Sequence, residues 1–217
     1  MSGVGSMPLA FLYSQQTLKT NLNLYYEEGK MNKTLKLLTI SDIFVFTGFG
    51  LISPILAIFI KDNLVGGTLL AAGIASAIFL IVHAILQIIF AQIFTAKDRR
   101  WMLLVGTVLI ALVPFGYIFA TTVEHIFFIQ LIYGIAAGFA YPSWYSLFTS
   151  NVDKKSSGLQ WSVYNSATSI GTGIAAGVGA FIADLWGFRI VFAITGILSV
   201  LGLLILFKLD KNISKKI

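Results

Sequence analysis

Residues 68–91 read TLLAAGIASAIFLIVHAILQIIFA, a stretch without a single lysine, arginine, aspartate or glutamate. The hydrocarbon core of a bilayer is about 30 Å thick and takes about 20 helical residues to cross. This run is long enough. In lipid every backbone amide must find its partner within the structure, which selects a helix over an open strand. Barrel strands would alternate apolar and polar residues over about ten positions, and this run is continuous. Five more runs of the same kind fall near 37–60, 102–120, 126–148, 160–183 and 190–207, parted by short polar turns. The sequence therefore predicts an all-α integral membrane protein with six transmembrane helices.

Composition excludes much else. Hydrophobic residues make up 57% of the 217 and charged residues 11%, less than half the usual charged share of a soluble domain. A soluble fold of this size has no interior large enough for so much apolar surface. There is no cysteine, which removes disulfides and thiolate metal sites. No metal-ligand cluster, nucleophile–base pair or phosphate-binding glycine loop is present, so neither a metal, a cofactor nor an enzymatic activity is expected.

The net charge of +6 is explained by orientation. Of the 15 lysines and arginines, all but Lys61 and Arg189 fall before the first span, after the second, after the fourth or after the sixth. Basic residues stay on the cytoplasmic side, so both ends are expected there, in a cell membrane, and no nucleic-acid partner is needed. Trp101, Trp144 and Trp161 lie towards the cytoplasmic ends of spans and Trp186 in the last external turn, as in an aromatic belt. Trp144 is also within reach of a cavity. The chain divides into an amino-terminal extension (1–30), a six-helix domain (31–209) and a basic tail (210–217). The apolar patch at residues 7–13 is too short to span, and the features of a secretory signal are missing. A flexible cytoplasmic extension is expected, or an upstream start, since Met31 itself opens a plausible membrane protein.

The spans differ in polarity. The third and sixth hold little beyond apolar residues and suit lipid. The fifth is polar in its cytoplasmic half, with Gln160, Ser162, Tyr164, Asn165, Ser166, Thr168, Ser169 and Thr172. Its outer half carries small residues four apart, Gly173/Gly177 and Gly171/Ala175/Gly179/Ala183, and the second span offers Ala71, Ala72, Gly73 and Ala75. Such stripes let helices approach closely, either inside the bundle or against a second bundle. On the fourth span Gln130, Gly134, Ala137, Tyr141 and Tyr145 recur at helical spacing and share a face, which suits a cavity lining or helix contacts. Pro54, Pro114 and Pro142 release the carbonyls of Gly50, Ile110 and Gly138.

Two ionisable residues fall within spans. Asp42 lies about 8 Å along the first helix, either as a proton carrier or as a residue bonded locally near the helix start. His83 shares a face with Gln87 near the middle of the second span, as a proton site or an interhelical hydrogen bond.

Three stretches carry a family likeness. The first span reads GFGLISPILAIFI, the fourth YGIAAGFAYPSW, and the turn after the fifth ADLWGFRIVF, through Asp184, Gly187, Arg189 and Phe192. In order and spacing, residues 31–209 resemble one half of a major facilitator superfamily transporter. The loop AQIFTAKDRR departs from the family's G-x-x-x-D-R-x-G-R-R: Arg99 and Arg100 match the closing pair, but Thr95 stands for aspartate and Asp98 for glycine. Gln130 stands where proton-coupled members carry arginine, and Ala175-Ala176 where exporters carry Gly-Pro.

The resemblance implies two inverted three-helix repeats, with spans one and four lining a cavity, two and five meeting the other half, and three and six facing lipid. It implies a secondary transporter of a small molecule, working by alternating access as a homodimer of six-helix halves or with another six-helix half. The cavity residues would be Phe46, Phe49, Gln130, Tyr133, Tyr141 and Tyr145, with Asn165 nearby; Asp42 and His83 would serve coupling, and Asp98, Arg99 and Arg100 the gating loop. Ala72, Gly73, Gly173 and Gly177 would serve helix packing or the contact with the second half. A non-transporting membrane module, either a truncated half or an assembly partner, is the alternative.

Overall fold

In the computed structural model, residues 31–94 and 99–210 are described. Asp98, the amino-terminal extension and the tail beyond Asp210 lie outside the described residues. Six helices are long and apolar enough to cross a membrane: Lys33–Asn63, Leu69–Ile93, Arg99–Phe119, Val123–Asn151, Ser157–Trp186 and Phe188–Leu206. Among the described residues the backbone forms no strand, only a bridge between Val65 and Thr122.

Local chemistry sets the helix starts. Asn32 caps the first span, its Oδ1 accepting from the Leu35 amide at 2.8 Å, and Thr68 caps the second through the Ala71 amide at 3.0 Å. These bonds satisfy first-turn donors that have no acceptor within the helix. The prolines act differently from one another. Pro54 divides the first span into Lys33–Ile52 and Leu56–Asn63. Pro114 and Pro142 sit inside continuous helices. Gly187 separates the fifth and sixth spans at φ +84°, a conformation that favours glycine.

The first span packs on the fifth and sixth, the fourth on the second and third, and the third on the sixth. Exchanging spans one to three with spans four to six maps these pairings onto themselves, which is consistent with two inverted repeats. The contacts are close because glycines face backbone. A Cβ at Gly106 of the third span would stand 2.7 Å from the Ala136 carbonyl oxygen of the fourth; one at Gly50 would stand 2.8 Å from the Thr172 carbonyl of the fifth. A Cβ at Gly179 would collide with the Leu51 backbone.

The small residues of the fifth span therefore split. Gly171, Ala175 and Gly179 are spent inside the bundle on the first span, whereas Gly173 and Gly177 face open space. On the second span Gly73 is likewise open, but Ala72 is 7% exposed and belongs to the core. Of the two contacts considered for Ala72, it makes the one inside the bundle. Spans two and five are the least covered: 17% and 22% of the residues in their most apolar stretches are buried, against 39–50% elsewhere.

Substituting Gly106→Val should lower the unfolding free energy in detergent by about 1–3 kcal/mol, the cost of forcing bulk into a packed contact. Gly173→Ala should change it by less than about 0.5 kcal/mol. Thermal unfolding of the two variants beside the parent checks both.

Candidate functional site

The first and fourth spans diverge around a cavity of about 80 Å³. From the first span come Asp42, Phe46 and Phe49; from the fourth, Tyr133, Tyr141, Trp144 and Tyr145. The third contributes Thr107 and the fifth Tyr164. Helical spacing explains the set: Asp42, Phe46 and Phe49 lie four and three apart on one face, as do Tyr141 and Tyr145.

Aromatic rings stack through the wall. Phe49 lies on Tyr133 at 5.0 Å between centroids, Tyr133 on Phe79 at 4.2 Å, and Phe79 on His83 at 5.8 Å. The His83 ring then meets Tyr141 edge to face at 4.8 Å. Offset and edge contacts of this kind place a ring's positive rim on another's negative face and each stabilise by about 0.5–1.5 kcal/mol. His83 thus stands behind the cavity wall, and its Nε2 is buried without a hydrogen-bond partner.

Asp42 is the one acidic or basic side chain in the lining. Its Oδ2 accepts a hydrogen bond from the Tyr164 hydroxyl at 2.8 Å. The local bonding considered for Asp42 is corrected here: the first helix begins ten residues earlier at Asn32, which supplies the cap, and Asp42 is bonded across to the fifth span. Trp144 presses on Tyr164 at 4.8 Å and on Tyr145 at 5.5 Å.

Two expected members stand elsewhere. Gln130 is buried at 4% exposure but outside the cavity lining, its Oε1 unpartnered. The face it shares with Gly134 turns to the second span, where a Cβ on Gly134 would stand 2.8 Å from the Val82 side chain. Asn165 is exposed and outside the lining, one residue past the inward-facing Tyr164. Arg99 and Arg100 open the third span, partly buried, each with an Nε lacking a partner. Thr107 and Tyr164 were not singled out as cavity residues. For Tyr164 the signal was there, an aromatic hydroxyl in the polar half of the fifth span. Among the described residues no group of acidic or histidine side chains is arranged to hold a metal ion.

Six helices long and apolar enough to cross a membrane enclose a ring-walled cavity with one carboxylate. The chain belongs to the Major Facilitator Superfamily, whose profile matches residues 38–216. It is 26% identical over 189 residues to an uncharacterized MFS-type transporter, MJ1560, of Methanocaldococcus jannaschii, covering 87% of this chain and 48% of that protein. It is 28% identical over 206 residues to the multidrug resistance protein MdtG of Proteus mirabilis, covering 90% and 50%. Against the multi-drug resistance efflux pump PmrA of Streptococcus pneumoniae it is 28% identical over 148 residues, covering 67% and 37%. The chain thus spans half or less of the length of these relatives.

Tyr164→Phe should destabilise the protein by about 1–3 kcal/mol, because it leaves the Asp42 carboxyl without its donor. A double-mutant cycle with Asp42→Asn, read by thermal unfolding, should return a coupling of about 1 kcal/mol. Strict additivity would deny the bond any energetic weight.

Proposed function

We propose that this chain forms one six-helix half of a secondary transporter that moves a small, positively charged organic molecule across the cell membrane by alternating access. The second half is a second copy of the chain, meeting the first through spans two and five. The observation that carries the reading is the Asp42 carboxylate set among aromatic rings with no lysine or arginine in the lining. A carboxylate supplies the counter-charge and ring faces attract cations. The names of the relatives point the same way: two of those above are named for multidrug resistance.

Size supports the need for a second half. Pockets for drug-sized molecules run to about 300–1,000 Å³, well above the 80 Å³ enclosed here. In the proposed dimer the second copy supplies the missing wall against spans two and five. There the fifth span exposes Ser162, Asn165, Ser166 and Ser169 beside the open Gly173 and Gly177. Polar side chains do not rest against lipid tails, and open glycines admit another helix. In this arrangement both ends and the basic turns are cytoplasmic. Asp42 alternates between cargo and a proton, with His83 behind the wall as a second titratable group. Arg99 and Arg100 act in the loop that closes the cytoplasmic side.

In proteoliposomes, Asp42→Asn should reduce transport of a lipophilic cation roughly tenfold or more while Asp42→Glu retains it; a loss of one charged contact is worth that factor. Equal cation transport by Asp42→Asn and the parent would remove the carboxylate from recognition. Cysteines introduced as Gly73→Cys and Gly177→Cys should cross-link copies of the chain under mild oxidation. Monomers alone, or a product with a foreign chain, would replace the second copy with a different partner.

A further inference from the structure

Trp144 differs in its surroundings from the indoles at the helix ends. Trp101 and Trp186 are 42% and 61% exposed, as suits rings that anchor in the headgroup region. Trp144 is 5% exposed and lines the Asp42 cavity from the fourth span. Its ring is held by other rings. It stacks on Phe148 at 4.6 Å, tilts against Tyr164 at 4.8 Å and meets Tyr145 edge to face at 5.5 Å.

The polar atom of that ring is left over. Among the described residues none accepts a hydrogen bond from the Trp144 Nε1, which is buried. The other buried side-chain atoms without partners, those of Ser41, His83, Gln130 and Ser199 among them, belong to residues outside the lining. Two donors inside it are already engaged: the Tyr164 hydroxyl donates to Asp42 at 2.8 Å and the Thr107 hydroxyl to the Leu103 carbonyl at 2.7 Å. An indole N–H can only donate, and inside a bilayer no bulk water is at hand to accept from it. Leaving it unpaired is costly. A phenylalanine would offer a stacking ring without that cost.

Tyr164 touches Trp144 with its ring and Asp42 with its hydroxyl, so a single tyrosine side chain separates the indole from the carboxylate. Building on the cation reading given above, we propose that Trp144 selects among cations: its Nε1–H donates to an acceptor oxygen on the cargo, a carbonyl, ester or ether a few bonds from the charged nitrogen. The cargo class is then an acceptor-bearing organic cation, and a purely hydrocarbon cation is the poorer ligand. A site with a buried donor discriminates against an analogue lacking the matching group, because only that group removes the penalty of the unpaired donor. Asp42 answers to the charge, and Trp144 to what lies beside it.

Two probes test this, phenylbutyl-trimethylammonium and the analogue whose benzylic methylene is replaced by a carbonyl. Their binding to the full chain in lipid nanodiscs is measured by isothermal titration calorimetry. The parent should hold the ketone roughly tenfold more tightly than the hydrocarbon, the scale of one hydrogen bond. Trp144→Phe should bind the two alike, and Asp42→Asn should weaken both by the same factor. In protein carrying isotope-labelled tryptophan, the Trp144 indole N–H resonance is assigned by replacing Trp101, Trp161 and Trp186 in turn. It should move downfield with the ketone and not with the hydrocarbon, a difference that a purely structural indole would not show. If Trp144→Phe does not fold, that resonance decides. Equal binding of the two probes by the parent, or a preference for the ketone that survives in Trp144→Phe, would overturn the role of Trp144 and leave the cation reading standing. A parent that binds neither probe would overturn both.

Discussion

The first and fifth spans meet backbone to backbone, and the site rests on that approach. Thr47 faces Gly171, Gly50 faces Thr172, and Leu51 faces Gly179, so the two helices run in parallel with matched register. Eight residues before Gly50 and eight before Thr172 stand Asp42 and Tyr164, about 12 Å back along each axis by helical rise. Their 2.8 Å hydrogen bond is therefore a product of register set by glycines two turns away. In lipid this matters more than in water, because apolar surface gives no preference for one helix neighbour over another and close packing must supply the specificity.

The same approach explains how a carboxylate is carried within a span. An acidic side chain facing lipid is costly. Here it turns inward, beside Trp144 and Tyr145 and beneath the Tyr164 hydroxyl. The rings exclude lipid from the carboxyl while leaving a space next to it. The polar half of the fifth span has two duties on opposite sides: Tyr164 and Thr168 are buried in the bundle, while Ser162, Asn165 and Ser169 point away from it.

What the sequence could tell follows from which physical effect dominates. The need for unbroken apolar helices is a property of each segment alone, and it made the six spans readable from composition. Phe46, Phe49 and Tyr133 entered through the family resemblance, whereas Tyr141 and Tyr145 were readable as cavity candidates because helical spacing groups them on one face. Gln130 failed by the same rule: the face it shares with Gly134 turns to the second span, and only the packing of Val82 on Gly134 reveals the rotation. Ala72 was readable only as a contact residue, because small size permits close contact without saying with which neighbour. Thr107 and Tyr164 entered through interhelical register, which no single segment encodes.

The bridge at Val65 has a structural consequence. Its amide donates to the Thr121 carbonyl at 3.0 Å and its own carbonyl accepts from Val123 at 3.2 Å, so the first turn is stitched to the third. The turns that join spans one to two and three to four are thereby tied at that end by two backbone hydrogen bonds. In the proposed transport cycle the slack would then come from the opposite rim.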